Sequence, residues 1–361
     1  MQIQFYNREQ LAELIESDFF KNLDKIPITY HRALSHIHNP DCSEDDILLW
    51  VAYENESLMG YVGVLPGVCY INGIPEKIYW LSCFWVDEPY RNSNLASSLF
   101  FPLIKRYKDQ LFISNFAPSL GKTYQSLGIF HPTTFKTGHR FYLVFCFADI
   151  IISRIPKASF LKPFLRGIDN FFNLFLSVRT LAYKKFERKF HLVENSFFDE
   201  YFQSFIDFFH KENKYIKRAA EHFEWIIAYP WVLQGKSDKE SQRYFFSSKS
   251  EQFEYCSLKI YQEKKLLGFI LLKIRDKALT ISYVYAIDDV VKDIVAYILI
   301  KAHKEKLKII TSFDKRLANT IKKNRGRFVF SKKIKRPYII SKKINIASFS
   351  FQEGDGDTVF T

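Results

Sequence analysis

From position 80 the chain runs apolar and aromatic to 86, breaks at Asp87-Glu88-Pro89, and resumes with Leu95, Leu99 and Leu103. The first stretch reads as a buried strand, the break as a turn, and the four-residue leucine spacing as one face of a helix. Upstream, Leu11, Leu14, Ile15 and Phe19 recur at helical spacing after Asn7, which is placed to cap them. A short helix is expected over 29–37. Two strands, 47–54 and 58–65, flank the turn 55–57, and Gly60 and Gly63 inside the second suggest close approach by backbone or ligand. A short apolar strand follows at 111–116.

The pattern changes at 152–190, where Phe and Leu alternate with Lys and Arg; Phe171, Phe172, Leu174, Phe175 and Leu181 suggest an amphipathic helix. Such a helix suits a connection packed between domains, a membrane surface or a dimer contact, and a two-domain chain needs a connection here. Beyond it the periodicities predict helices at 197–210 and 219–229 and strands near Tyr244, at 255–262, 266–274 and 278–286. A helix at 290–305, a strand at 307–312 and a helix at 315–323 complete the series. The expected organisation is α/β, with domains at 1–150 and 196–361 joined by a helical linker at 151–195.

At 361 residues and 47% hydrophobic content the chain can bury two ordinary cores. The net charge of +13 favours anionic partners, and 301–343 holds sixteen Lys and Arg against two acids. That basic stretch is suited to a solvated face or to CoA phosphates, a nucleotide sugar, a lipid-linked glycan or a nucleic-acid backbone. Five scattered cysteines without a C-x-x-C pair argue against a disulfide framework and a zinc site. The start MQIQFYNREQ lacks a signal pattern, and the apolar run 141–152, interrupted by Asp149, is too short to span a bilayer. A cytoplasmic protein without an integral membrane segment or a metal is the expectation.

Chemistry concentrates in the loop Arg91-Asn92-Ser93-Asn94-Leu95-Ala96-Ser97, which opens the leucine helix. Unpaired backbone N–H groups and the positive helix end make such a loop a phosphate site. With the preceding strand it resembles the acyl-CoA signature of the GNAT superfamily of N-acyltransferases, Arg/Gln-x-x-Gly-x-Gly/Ala. Arg91 and Ala96 fit, Asn94 stands where the family has Gly, and Asn92 replaces another frequent Gly. Asparagine is the non-glycine residue that best accepts positive φ. Pro102 should kink the helix. Gly121-Lys122-Thr123-Tyr124-Gln125-Ser126-Leu127-Gly128-Ile129 is similar to a second family motif, a Tyr-bearing helix ending in Leu-Gly-Phe.

The resemblance implies acetyl-CoA as co-substrate and acyl transfer to an amine. It implies cofactor contacts at Trp85, Val86, Arg91, Asn92, Ser93, Asn94, Leu95, Ala96 and Ser97, with a backbone N–H at the strand end for the oxyanion and Tyr124 protonating the departing thiolate. A general base is not visible: the strand 81–86 carries no carboxylate. Glu76, His36, His38 and His131 are candidates by type, Cys83 is a weaker one as nucleophile, and packing or surface roles compete for each. The segment Glu353-Gly354-Asp355-Gly356-Asp357 lacks the full calcium-loop pattern and reads as a chain-end loop.

The second half repeats the family's order of elements without the signature loop, since Ile287-Asp288-Asp289-Val290 would repel a pyrophosphate. The expected architecture is therefore two GNAT-like domains, each a mixed central sheet flanked by helices, the second degenerate. His222 to Trp225 and Tyr229 to Trp231 loosely resemble segments of tandem acyltransferases of bacterial surface polysaccharides, which implies an amino sugar or other glycan amine as acceptor. The alternatives are an aminoacyl-tRNA-dependent transferase using the basic stretch for tRNA, and a non-catalytic scaffold or membrane-associated binding protein.

Overall fold

The computed structural model describes residues 1–71, 73–91, 93–116, 118–145, 147–179, 190–210, 215–345 and 350–361. Two positions singled out above, Asn92 in the loop and Leu181 in the linker, lie outside them, as does the Phe175 side chain.

The first half unfolds in order as β1 (Gln2–Tyr6), α1 (Arg8–Glu16), α2 (Asp18–Asn22), α3 (Tyr30–Ile37), β2 (Leu49–Glu54), β3 (Ser57–Ile71), β4 (Ile74–Val86), α4 (Leu95–Tyr107), β5 (Leu111–Ser114) and α5 (Pro118–Ser126). Asn7 caps α1 as expected: its side chain accepts from Gln10 N at 2.9 Å while the Gln10 side chain accepts from Asn7 N at 3.1 Å. Leu11, Leu14 and Ile15 then turn into the core. The β2–β3 hairpin closes on Asn55 (φ 48) and Glu56 (φ 64), the pair of left-handed residues that a tight hairpin requires. Strands β3 and β4 are longer than their sequence patterns suggest because β3 continues through Pro66 and the two pair from Gly60–Val86 to Ile71–Ile74.

Two compact units form, and they are interleaved: residues 1–136, 197–253 and 336–361 make one, and 137–196 and 254–335 the other. The expected boundaries at 150 and 195 differ from this because each unit takes its final strand from a distant part of the chain. In the first unit the sheet runs β1, β2, β3, β4, β5, and Tyr338, Ile339 and Ile340 add antiparallel to Ser114, Ile113 and Phe112. In the second, Ile309–Ser312 pairs in parallel with Ala278–Ala286 on one side and antiparallel with 139–142 on the other. The hairpin Phe253–Gln262 and Lys265–Arg275, the strand Ala278–Ala286 and the helix Val291–Lys304 precede it, so the element order of the first half recurs. Both units are mixed α/β sheets flanked by helices. Tyr244 lies outside any strand, contrary to expectation.

The segment 197–253 belongs to the first unit because its aromatic residues dock on α3. The Trp225 and Trp231 indoles donate to Ser35 O (2.7 Å) and Ser35 Oγ (2.9 Å), and buried His222 pairs with Asp41 at 3.1 Å. Residues 350–361 also return to this unit, entering beside Trp80. Gly356 adopts φ 76, and a Cβ there would stand 2.7 Å from Trp80 Cε3. Gly356→Ala is therefore expected to cost about 2–4 kcal/mol of unfolding free energy from left-handed strain plus a clash with a buried ring. Urea titration beside Gly73→Ala checks it, since Gly73 has φ 80 but nothing within 4 Å; equal losses would refute the clash.

Candidate active site

The site is built where β4 leaves its neighbours. On the β3 side the register shifts so that Val62 faces both Cys83 and Phe84, a β-bulge with Cys83 at φ 51. On the other side β4 pairs with β5 only at Tyr79, Trp80 and Leu81, so the residues from Ser82 to Val86 splay away from β5. Asp87 N donates to Met59 O at 2.8 Å. Alternation along an antiparallel pair then points the polar groups of Trp85 at β3 and those of Val86 into the splay. The Arg91 side chain confirms that direction: its Nε donates to Val86 O at 3.3 Å.

The loop at the end of β4 begins with a short turn of 3₁₀ helix at Glu88–Tyr90, its first N–H bonded to the Asp87 carboxylate. Ser93 Oγ accepts from Leu95 N at 3.2 Å. Asn94 is the N-cap residue of α4, but its φ is −76 and its side chain makes no capping bond. The expected positive φ at Asn94 is thus not observed: the loop turns without left-handed backbone there. In the first turn of α4, Ala96 and Ser97 have N–H groups with no intrahelical acceptor, beside the exposed Arg91. This is an anion-binding arrangement. The helix runs through Pro102 to Tyr107 unbroken, with Leu95, Leu99 and Leu103 buried.

The two faces of β4 differ. On the α4 face, Tyr124 is buried among Phe100 (5.5 Å), Phe116 (5.8 Å) and Phe130 (6.5 Å). Burial pushes its hydroxyl up to about 12. On the α3 face, the buried Arg32 donates to Ser82 Oγ (2.9 Å) and Tyr244 OH (2.6 Å), also contacts Cys83 Sγ, and stacks over Trp231 at 3.9 Å. Ser82 Oγ in turn donates to Asp357 Oδ2 at 2.8 Å, and Ser114 Oγ reaches Asp357 Oδ1 at 3.3 Å. The Asp357 carboxylate thus spans the mouth between β4 and β5. Burial raises its pKa above the usual carboxylate value, against the hydrogen bond from Ser82 and the positive charge of Arg32. A cavity of about 200 Å³ opens on the same face, lined by Lys25, Tyr61, Trp85, Asp87, Arg91 and Phe245 among others.

None of the base candidates named from sequence reaches this place. His36 is fully buried and stacked on Trp231, held neutral by burial and by Arg32. His38 stacks on Tyr229, His131 bonds Ile344 O at 2.9 Å, and Glu76 pairs opposite Cys69 far from the strand end. Asp357 escaped sequence reading because it lies in a segment that looked like a chain-end loop; the clue was the glycine at 356, which lets the backbone cross Trp80. Among the described residues no group of three or more His, Cys, Asp or Glu could hold a metal ion.

Residues 8–121 match the family model described as Acetyltransferase (GNAT) family. No curated protein matches the chain. Among solved structures, a conserved protein of unknown function from Enterococcus faecalis V583, described as a probable N-acyltransferase, aligns with 10% identity over 95% of this chain and 73% of its own, with a TM-score of 0.53. Saccharomyces cerevisiae N-myristoyltransferase, solved with bound myristoyl-CoA and inhibitors, aligns with 12% identity over 94% of this chain and 80% of its own, with a TM-score of 0.50. At these identities the likeness concerns the fold, and the family match covers the segment holding β4, its loop and α4. Over residues 8–121, the chain carries a domain of the GNAT acetyltransferase family.

Proposed function

We propose that this protein is an acyl-CoA-dependent N-acyltransferase acting at the splay between β4 and β5. The observation that carries the reading is the placement of Tyr124 and Asp357 on opposite faces of one strand end whose Val86 N–H is open. Acyl transfer from a thioester to an amine needs three things at one carbonyl: loss of a proton from nitrogen, a donor for the oxyanion, and neutralisation of the leaving thiolate.

Asp357 takes the amine proton, helped by a raised affinity for it. Val86 N–H faces the carbonyl oxygen. Tyr124 hydrogen-bonds to the sulfur and passes it a proton; the burial that raises the phenol also raises a thiolate leaving beside it, so a strong acid is not required. Arg91 and the N–H groups of Ala96 and Ser97, with Ser93, Asn94 and Leu95 shaping the loop and Trp85 flanking it, hold the CoA pyrophosphate.

The acceptor enters through the cavity on the α3 face. Trp85 and Phe245, 5.5 Å apart, form an aromatic wall, and of the two acids in the lining Asp87 is held by Lys25 at 2.6 Å, which leaves Glu88 to meet an ammonium. An amino sugar of a surface polysaccharide precursor fits this chemistry, with an apolar ring face and a cationic substituent. The second unit repeats the order of elements and is read as a degenerate copy: Asp288 and Asp289 stand where an anion loop would be, and Arg316 engages Asp288 at 3.0 Å.

Calorimetric titration with acetyl-CoA tests the reading. The wild type is expected to bind saturably, and Arg91→Glu with Asn94→Asp to bind at least about tenfold more weakly, the loss of one charge-assisted contact. Absence of binding by the wild type would sink it.

A further inference from the structure

The helix Lys162–Arg179 of the second unit turns two polar side chains inward and leaves several phenylalanines exposed. Two of its polar side chains face its own unit: the buried Asp169 carboxylate accepts from Phe147 N (2.8 Å) and Ala148 N (2.9 Å), and the Asn173 amide bonds both N and O of Phe145. At helical spacing, Phe164 and Phe171 fall on the opposite side from Asp169 and Asn173. Phe164 is 68% and Phe171 60% exposed, and Phe160 in the preceding turn is 77% exposed. Of the residues named from sequence, Phe172 packs on Phe145 at 5.1 Å, whereas Phe171 and Leu174 keep most of their surface exposed. A sequence that spends its polar side chains on anchoring and turns its phenylalanines outward is suited to an apolar exterior.

Charge selects what that exterior is. Lys157, Lys162 and Arg166 are exposed, and from 155 to 174 the one acid is the buried Asp169. A two-fold-related copy would bring these like charges together, whereas an anionic bilayer attracts them. No helix among the described residues is long and apolar enough to cross a membrane. We propose that residues 155–174 form a membrane-surface element that lies in the interface of an anionic bilayer, with Phe160 and Phe164 inserted among the acyl chains and the basic residues at headgroup level. This binding does not depend on the acyltransferase reading.

The test is co-sedimentation of the full chain with vesicles of phosphatidylcholine containing phosphatidylglycerol, beside pure phosphatidylcholine vesicles. The wild type is expected to partition into the anionic vesicles at least about tenfold more strongly, and added salt to weaken the binding. Phe160→Glu with Phe164→Glu is expected to abolish partitioning, and Lys162→Glu with Arg166→Glu to reduce it about tenfold, both without change in thermal midpoint. Failure of the wild type to sediment with anionic vesicles would overturn the proposal. So would unaltered binding by the folded Phe variant, or a concentration-dependent dimer that the Phe variant abolishes while vesicle binding is absent.

Discussion

Asp357→Asn is expected to lower kcat by about two to four orders of magnitude while leaving the affinity for acetyl-CoA unchanged, the usual contribution of a positioned general base. Asparagine keeps an oxygen for Ser82 Oγ and is close to isosteric, so the tail stays seated and the loss reports chemistry. The pH profile carries the sign. In the wild type Asp357 must be ionised to accept the amine proton, so kcat/KM rises with pH through its pKa. Because burial raises that pKa, the acid limb stands above the ordinary carboxylate range. In Asp357→Asn the limb should vanish. A variant that turns over normally, or retains the same limb, would remove Asp357 from the mechanism. The Ser82 hydroxyl, which relays Arg32 to this carboxylate, explains how a half-buried acid is held without a direct ion pair.

Tyr124→Phe should separate activity from stability, lowering the first and leaving the second nearly unchanged. Its ring packs against Phe100, Phe116 and Phe130, and no hydrogen bond to its hydroxyl is seen among the described residues. Because the ring carries the packing and the hydroxyl makes no such bond, its removal should change stability by less than about 1 kcal/mol. Activity should fall about tenfold to a hundredfold with acetyl-CoA, because the thiolate then departs into hydrocarbon without a donor. With an activated ester such as p-nitrophenyl acetate the deficit should shrink, since that leaving group needs no proton. A phenol raised to about 12 also stays protonated across the neutral and mildly alkaline range, so no alkaline limb from Tyr124 is expected there. Equal loss on both donors would assign Tyr124 to packing.

How far the sequence could be read follows from where the information lies along it. The strand, loop and leucine helix of 80–107 are contiguous, so local pattern and loop composition identify them together, and Tyr124 follows within a short distance. Helix 315–323 is found with the bounds expected, since its cap Asp314 and apolar period are local signals. What was hidden is non-local. Asp357 meets Ser82 across 275 positions, and no periodicity encodes that meeting. The strands 139–142 and 338–340 are generic by composition, so nothing local assigns them to their units and the sequence pattern suggests consecutive domains. Asn94 shows a subtler limit: its tolerance of left-handed backbone is real, but the Ser93 hydroxyl and the 3₁₀ turn shape the loop without it. The histidines suggest chemistry by type, yet His36 and His38 serve as flat surfaces for Trp231 and Tyr229.

The return of residues 336–361 to the first unit has a consequence for how the protein is made. While the chain is still emerging from the ribosome, β5 has an unpaired edge and the mouth between β4 and β5 has no carboxylate. The family domain at 8–121 is complete as a string of elements long before Asp357 reaches it. Contacts of such long sequence separation form late and slowly. On the proposed reading, a nascent or prematurely terminated chain would therefore be inert toward amines, and acyl transfer would switch on only once translation has delivered the segment carrying Asp357.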